Sequence, residues 1–352
     1  MTWRALDHVH RKGVAMSSRV RPSGRALGSL VLAAVLGAGL AACGQVQDSS
    51  TQSTSPASSD ASAFPVKITH KFGTAEITKA PSRVVVVGTA TDDLDAALAL
   101  GVTPVAFFNK SGSDAVPSWL KGKLDTSKTK IVNAAAGVNA EEVGALTPDL
   151  ILATSSYGLE QEYPNLAKIA PTVGYATDWG KQTWQEHVQV VAQALGKTGD
   201  AKKVIETTEA AITKFKSDNP KAAGKTFTAS VGNTAGKMFS LVSKEDFAVK
   251  LIEQAGLTLS PAVADATKNE SGSPTGTLTP EQYDKLKADL VVVAFTSPDL
   301  QAAFESNQLG AGVKSGNYLL VDMETISALR YPTALDIPWV LEKLKPGVSK
   351  LA

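Results

Sequence analysis

The stretch Val84-Val85-Val86-Val87-Gly88, followed by Thr89-Ala90-Thr91-Asp92-Asp93-Leu94-Asp95-Ala96-Ala97-Leu98-Ala99-Leu100-Gly101, decides the fold class. Four consecutive valines leave no polar face, so they predict a strand covered on both sides. In the segment that follows, Leu94, Ala97 and Leu98 recur at helical spacing and Gly101 supplies a stop. The same strand-and-helix pattern returns at 102–108, 149–154, about 170–173, 226–232, 289–295 and 318–322. Apolar strands alternating with helices indicate an α/β protein with parallel sheets. Ahead of them, residues 64–80 alternate apolar and polar on both sides of Gly73, which predicts a small hairpin.

Between the two groups of strands nearly forty residues carry no strand signal. Trp184 to Leu195 reads as one helix, broken at Gly196 and Gly199. A second runs from a cap at Asp200 to about Ser217, with Val204, Ile205, Ala211, Ile212 and Phe215 as its apolar stripe. A long helix between two groups of strands predicts two lobes joined by a strut. An internal repeat agrees: Asn139-Ala140-Glu141-Glu142 to Asp149-Leu150 aligns with Thr279-Pro280-Glu281-Gln282 to Asp289-Leu290. Each copy opens with a capping signature and feeds an apolar strand, so each reads as a short helix leading into the sheet.

The 352 residues hold 35 basic and 34 acidic side chains, a net charge of +1, with 43% hydrophobic residues and one cysteine. That composition excludes a disordered chain, a disulfide-stapled mini-protein and a strongly basic nucleic-acid binder. The balance of charge is uneven, however. Residues 1–42 carry six basic side chains against Asp7 alone, then an apolar run, 26–42, rich in Gly and Ala. Such a segment reads as a secretory signal peptide, with Met1 or Met16 as its start. Without it 29 basic residues face 33 acidic ones, so the exported body is near −4. The run ends Leu40-Ala41-Ala42-Cys43-Gly44, which resembles the bacterial lipobox, in which Cys43 is acylated and becomes the new N-terminus. A buried structural thiol is the alternative reading of Cys43. Residues 43–63, rich in Ser and Thr, predict a flexible tether.

Taken in order behind Cys43, four segments resemble one family: PSRVVVVG (81–88) with DLDAALALGVTPV, NAEEVGALTPDLILA, Trp184 with a helix ending in LGK, and TPEQYDKLKADLVVV. They resemble the substrate-binding lipoproteins of bacterial ABC importers, in the branch handling ferric siderophores, haem and cobalamin. The resemblance covers most of residues 64–350. It implies two Rossmann-like lobes with mainly parallel sheets, 64–198 and 220–352, joined by a single long α-helix, 199–219, with the ligand cleft between them. It also implies a monomer anchored to the outer face of the cell membrane that delivers a ferric siderophore to an ABC permease and its ATPase. Haem, cobalamin, or a sensor or adhesin reusing the fold are the alternatives. By motif position Glu141 and Glu281 would dock on permease arginines. The other reading is that they only complement the dipole of a first helical turn, worth about 0.3–1 kcal/mol.

Ligands in such folds meet loops at the carboxyl ends of strands. That rule selects Thr89, Asn109, Tyr157, Arg330 and Tyr331, and the resemblance adds Trp184. Aromatics there would stack on the chelate, and Arg330 would pair with an anionic one. Phe108 and Phe295 read instead as core. The chain after Cys43 has two histidines, His70 and His187, without a ligand cluster, so no protein-bound metal or resident cofactor is expected; iron would arrive as cargo in its chelate. Catalysis lacks a basis as well. No Gly-x-Ser-x-Gly elbow occurs, and Gly196-Lys197-Thr198 and Gly224-Lys225-Thr226 lack the first glycine of a phosphate loop, with Val191 and Asn219 in its place.

Overall fold

The computed structural model describes residues 63–266 and 275–351; the signal segment, Cys43 and nearly all of the tether lie outside the described residues. Among the described residues no helix is long and apolar enough to cross a membrane.

The chain enters through the antiparallel hairpin β1 (Val66–His70) and β2 (Gly73–Ile77). Then come β3 (Val84–Gly88), α1 (Asp92–Ala99), β4 (Ala106–Asn109), β5 (Lys130–Asn133), α2 (Ala140–Ala145), β6 (Leu150–Ala153), α3 (Leu159–Leu166) and β7 (Thr172–Gly174). Strands β3 to β7 form one parallel sheet in the order β5-β4-β3-β6-β7. The valine run explains the central place of β3. Val84 and Val86 pack with Leu94 and Ala97 of α1 on one face, while Val85 and Val87 pack with Val143 and Leu159 on the other. Alternate side chains of a strand face opposite ways, so only an unbroken apolar run satisfies two covered faces.

Helix α4 (Trp184–Ala194) starts with a reciprocal cap: Glu186 N–H donates to Thr183 Oγ1 at 3.2 Å, and Thr183 N–H to Glu186 Oε2 at 2.7 Å. It ends at Gly196, whose φ of 65° is left-handed and where a Cβ would lie 2.5 Å from the Phe64 ring. Helix α5 (Thr198–Asp218) is the strut, 21 residues and about 30 Å long.

The second lobe comprises β8 (Thr226–Thr234), β9 (Lys237–Leu241), α6 (Phe247–Gln254), β10 (Thr258–Leu259), α7 (Pro261–Ala266), β11 (Thr275–Leu278), β12 (Leu290–Phe295), α8 (Pro298–Ser306), α9 (Gln308–Lys314), β13 (Tyr318–Leu320), α10 (Met323–Arg330) and α11 (Ile337–Val348). Its sheet runs β11-β9-β8-β12-β13, with β10 also beside β8. β10, β8, β12 and β13 are parallel, as the apolar runs predict, but β9 and β11 pair antiparallel. The strut packs against α4 of the first lobe and against α6 and α11 of the second. Thr208 on the strut donates its hydroxyl to the Ala334 carbonyl at 3.0 Å.

The internal repeat has a physical basis. Its first copy forms α2, whereas the second is a run of 3-10 turns, Pro280–Leu286, rather than an α-helix. Both copies end in an aspartate that clamps the residues before or opening the central strand. Asp149 accepts from the N–H of Ser82 at 2.8 Å and of Arg83 at 2.8 Å; Asp289 accepts from the N–H of Thr226 at 2.7 Å and its hydroxyl at 2.8 Å. These backbone donors have no ladder partner at that point, so the carboxylate supplies one. Partial burial opposes charge on Asp149, but the Ser82 and Arg83 donors outweigh it and hold the carboxyl below its ordinary value. The Thr226 donors do the same for Asp289.

The lobes meet through a buried carboxyl. Asp95 Oδ2 in α1 accepts from Trp119 Nε1 at 2.9 Å and from the Thr333 hydroxyl of the other lobe. Thr333 N–H in turn donates to Asp336 at 2.7 Å. Alongside, Glu324 accepts from Ser118 N–H at 2.6 Å and its hydroxyl at 2.7 Å, and Trp119 meets Trp339 at 5.5 Å between ring centres. Burial pushes the Asp95 carboxyl up to about 7. Asp336 is also raised well above its ordinary value, by burial first and then by Asp95.

Two predictions follow from these carboxyls. Asp149→Ala should lower the urea-unfolding free energy by about 1.5–3 kcal/mol, the range for hydrogen bonds to a charged group, while Asp149→Asn, keeping one acceptor, should lose less. The Asp95 pKa is raised on folding, so its contribution is full below the ordinary carboxyl range and is lost as pH rises through about 7. Unfolding free energy should therefore fall between pH 4 and pH 8, and Asp95→Asn should flatten that fall when urea curves are compared across the range.

Candidate functional site

The carboxyl ends of the first sheet's strands converge on the face turned to the second lobe. After β3, Thr89 Oγ1 accepts the Tyr157 N–H at 2.9 Å, and Thr89 N–H donates to the Ser155 carbonyl at 3.0 Å. The loops after β3 and β6 are thereby locked together, and Tyr157 is set half-buried at their junction. After β7, Trp179 donates its indole N–H to the Ser155 carbonyl at 3.0 Å. Its ring meets Tyr157 edge-on at 5.2 Å and, across the gap between lobes, Tyr331 at 6.1 Å. Three half-buried aromatics from two lobes thus share one site, a surface suited to a flat or apolar ligand.

Beneath the aromatics the charged groups are paired. Lys110, after β4, donates to Glu162 Oε2 at 2.8 Å and to the Tyr157 carbonyl at 2.5 Å. Arg330, at the end of α10, forms an ion pair with Asp246, whose other oxygen caps α6 by accepting the Ala248 N–H at 2.9 Å. The Arg330 guanidinium also lies 5.6 Å from the Tyr331 ring centre. Burial raises the Tyr331 hydroxyl above its ordinary pKa; Arg330 opposes this, and Asp246 and Asp92 add to it. The phenol therefore stays neutral.

Asp92 and Asp93 surround His187 of α4, at 3.5 Å from Nε2 and 3.8 Å from Nδ1. Thr154 Oγ1 lies 2.8 Å from His187 Nδ1, and Asp93 accepts the Thr154 N–H at 2.7 Å. Burial alone would lower the His187 pKa, but Asp92 and Asp93 reverse that and raise it. Burial raises Asp92, with His187 opposing. The sequence reading treated His187 as unclustered; the packing of α1 on α4 pairs it with two aspartates. Among the described residues no group of three His, Cys, Asp or Glu side chains is arranged to hold a metal ion.

The sequence-selected residues divide in the structure. Thr89, Tyr157, Arg330 and Tyr331 come together here. Asn109 is buried, and its side chain shapes its own loop, accepting the Ser111 N–H at 2.9 Å and donating to the Ser113 carbonyl at 2.9 Å. Trp184, which the resemblance places at the ligand, is only 8% exposed and packs in the hydrophobic core. Its spacing explains the burial: Trp184, Val188 and Val191 form an i, i+4, i+7 stripe on the buried side of α4, which packs on α1 and the strut. Phe108 is core, and Phe295 packs half-buried against Phe304 at 5.6 Å. Trp179, Glu162 and Asp246 were missed. The signal for Trp179 was an aromatic before a glycine in a polar loop following a strand, the position that rule selects.

Glu141 and Glu281 are both exposed, and each opens its copy of the repeat. Neither has a cation within ion-pair distance among the described residues, whereas neighbouring Glu142 pairs with Lys130 at 2.8 Å. The Thr279 hydroxyl holds the Glu281 carboxyl below its ordinary value.

The probable siderophore-binding lipoprotein YfiY of Bacillus subtilis is 24% identical over 317 residues, 81% of this chain and 93% of its own. The ferric-anguibactin-binding protein FatB of Vibrio anguillarum is 25% identical over 217 residues, 60% of this chain and 63% of FatB, so less than two thirds of that relative is spanned. Streptococcus pneumoniae PiaA, solved in complex with ferrichrome, superposes with a TM-score of 0.67 at 24% identity, covering 82% of this chain and 100% of PiaA. These relatives are solute-binding proteins, not enzymes. Residues 84–294, which carry β3, the strut and β12, match the family described as periplasmic binding protein, and the chain belongs to that family.

Proposed function

We propose that this chain is a lipid-anchored extracytoplasmic receptor that captures a ferric siderophore between its lobes and presents it to an ABC permease and its ATPase. The observation carrying this reading is the set of Tyr157, Trp179 and Tyr331, drawn from both lobes onto one site. A chelate seated there would touch both lobes at once and favour their closed arrangement, because a ligand shifts a two-state equilibrium by its differential contacts. The relatives named for siderophore binding support the substrate. The protein does no chemistry on it, and iron is cargo held by its own chelator.

The lipid anchor rests on Cys43, which lies outside the described residues, and on the description of YfiY as a lipoprotein. Docking rests on the repeat, which puts at the same place in each lobe an exposed carboxylate with no ion-pair partner among the described residues. Arginine binds such groups in a bidentate fork. Because one carboxylate lies on each lobe, a permease reading both would sense the arrangement of the lobes.

The double variant Glu141→Lys, Glu281→Lys should abolish cellular uptake of a radiolabelled ferric siderophore while leaving the affinity of the purified protein for it unchanged. Unaltered uptake would overturn the docking role, and lost affinity would place the two residues in the ligand site instead. Cys43→Ala should move the protein from the membrane fraction to the soluble exported fraction; retention at the membrane would overturn the lipid anchor.

A further inference from the structure

The charges around the aromatic site specify more than its shape. Arg330 is the cation beside Tyr331, and its partner Asp246 is fully buried. Lys110 is the cation beneath Tyr157, and its side chain and that of Glu162 are 13% and 14% exposed. On the rim, Lys71 pairs with Asp178 at 2.7 Å, and Lys181 is exposed to solvent. Asp92 stands near Tyr331 with His187 as its counter-charge. The buried cations of the site are therefore each neutralised from within their own lobe before any ligand arrives.

This matters because an anionic ligand must displace or share those carboxylates. Breaking a buried ion pair leaves a charge uncompensated, and attraction to a pair of zero net charge is weak. The body of the protein adds no attraction, carrying about −4 outside residues 1–42. Inside the rim, what the site offers without displacing a partner is aromatic surface and the neutral Tyr331 phenol.

Ferric chelates divide by charge. Three hydroxamates, each singly negative, neutralise Fe3+, whereas three catecholates leave a net charge of −3, and citrate-type chelates are also anionic. Resting on the siderophore reading above, we propose that this receptor selects ferric trihydroxamates without net negative charge, and that the Arg330–Asp246 and Lys110–Glu162 pairs are the residues that exclude anionic chelates. The two carboxylates act as built-in competitors: each occupies the cation that an anionic chelate would need.

The test is tryptophan fluorescence titration of the full exported chain with a neutral ferric trihydroxamate, a ferric tricatecholate and ferric dicitrate. The trihydroxamate should bind at least tenfold more tightly than either anion, with a Kd nearly independent of salt between 50 and 500 mM. Equal or tighter binding of an anionic chelate would overturn the selectivity while leaving the siderophore reading standing. Absence of binding to all three, confirmed by equilibrium dialysis with radioactive iron chelates, would overturn both. Asp246→Asn retains a cap for α6 and releases Arg330, and should narrow the gap between neutral and anionic chelates at least threefold. Glu162→Gln releases Lys110 and should act the same way, which keeps the test available where one variant does not fold. An unchanged ratio in the folded variants would overturn the role given to the pairs.

Discussion

A parallel sheet covered on both faces leaves few places for polar chemistry, and the carboxyl edge of its strands is the main one. That constraint organises this molecule. The sides of β3, β4 and β6 are occupied by the cores beneath α1 and α4 on one face and α2 and α3 on the other. The polar loops where these strands end, together with that of β7, are the surface this packing leaves open. Thr89, Lys110, Tyr157 and Trp179 follow β3, β4, β6 and β7, and hydrogen bonds among their loops make one wall from four separate loops.

Much of this was legible in the residues because the underlying signals are local. An unbroken valine run has one solution, a strand buried on both faces. The Gly196 stop and the capping signature of each copy of the repeat are likewise set by a few neighbouring residues. Strand β9 was illegible for the opposite reason. Lys237-Met238-Phe239-Ser240-Leu241 is short and mixed, and its pairing with β8 depends on the tight turn through Gly236. The second copy of the repeat shows a further limit: the capping residues are present, with Thr279 N–H donating to Gln282 Oε1 at 3.2 Å, yet the segment winds as 3-10 turns. A cap specifies where a turn starts, not how tightly it winds.

The candidate site was less legible than the fold because its character lies in pairings between distant positions. Arg330 alone reads as an anion receptor. Asp246, 84 positions earlier, changes that reading by occupying the guanidinium. Trp184, added by the resemblance, is likewise set by packing: its stripe with Val188 and Val191 runs into the core. Trp179, with no such stripe, reaches Tyr331 of the opposite lobe at the candidate site. Partner and direction decide the role of such residues, and both are long-range properties.

The seat of Phe64 on Gly196 has a mechanical meaning. The Phe64 ring occupies the space a Cβ would take at the corner between α4 and the strut. Phe64 thereby ties the start of the hairpin to the base of the strut, a helix that packs on both lobes. A pull on that end of the chain would therefore be shared between the hairpin and the corner where α4 meets the strut.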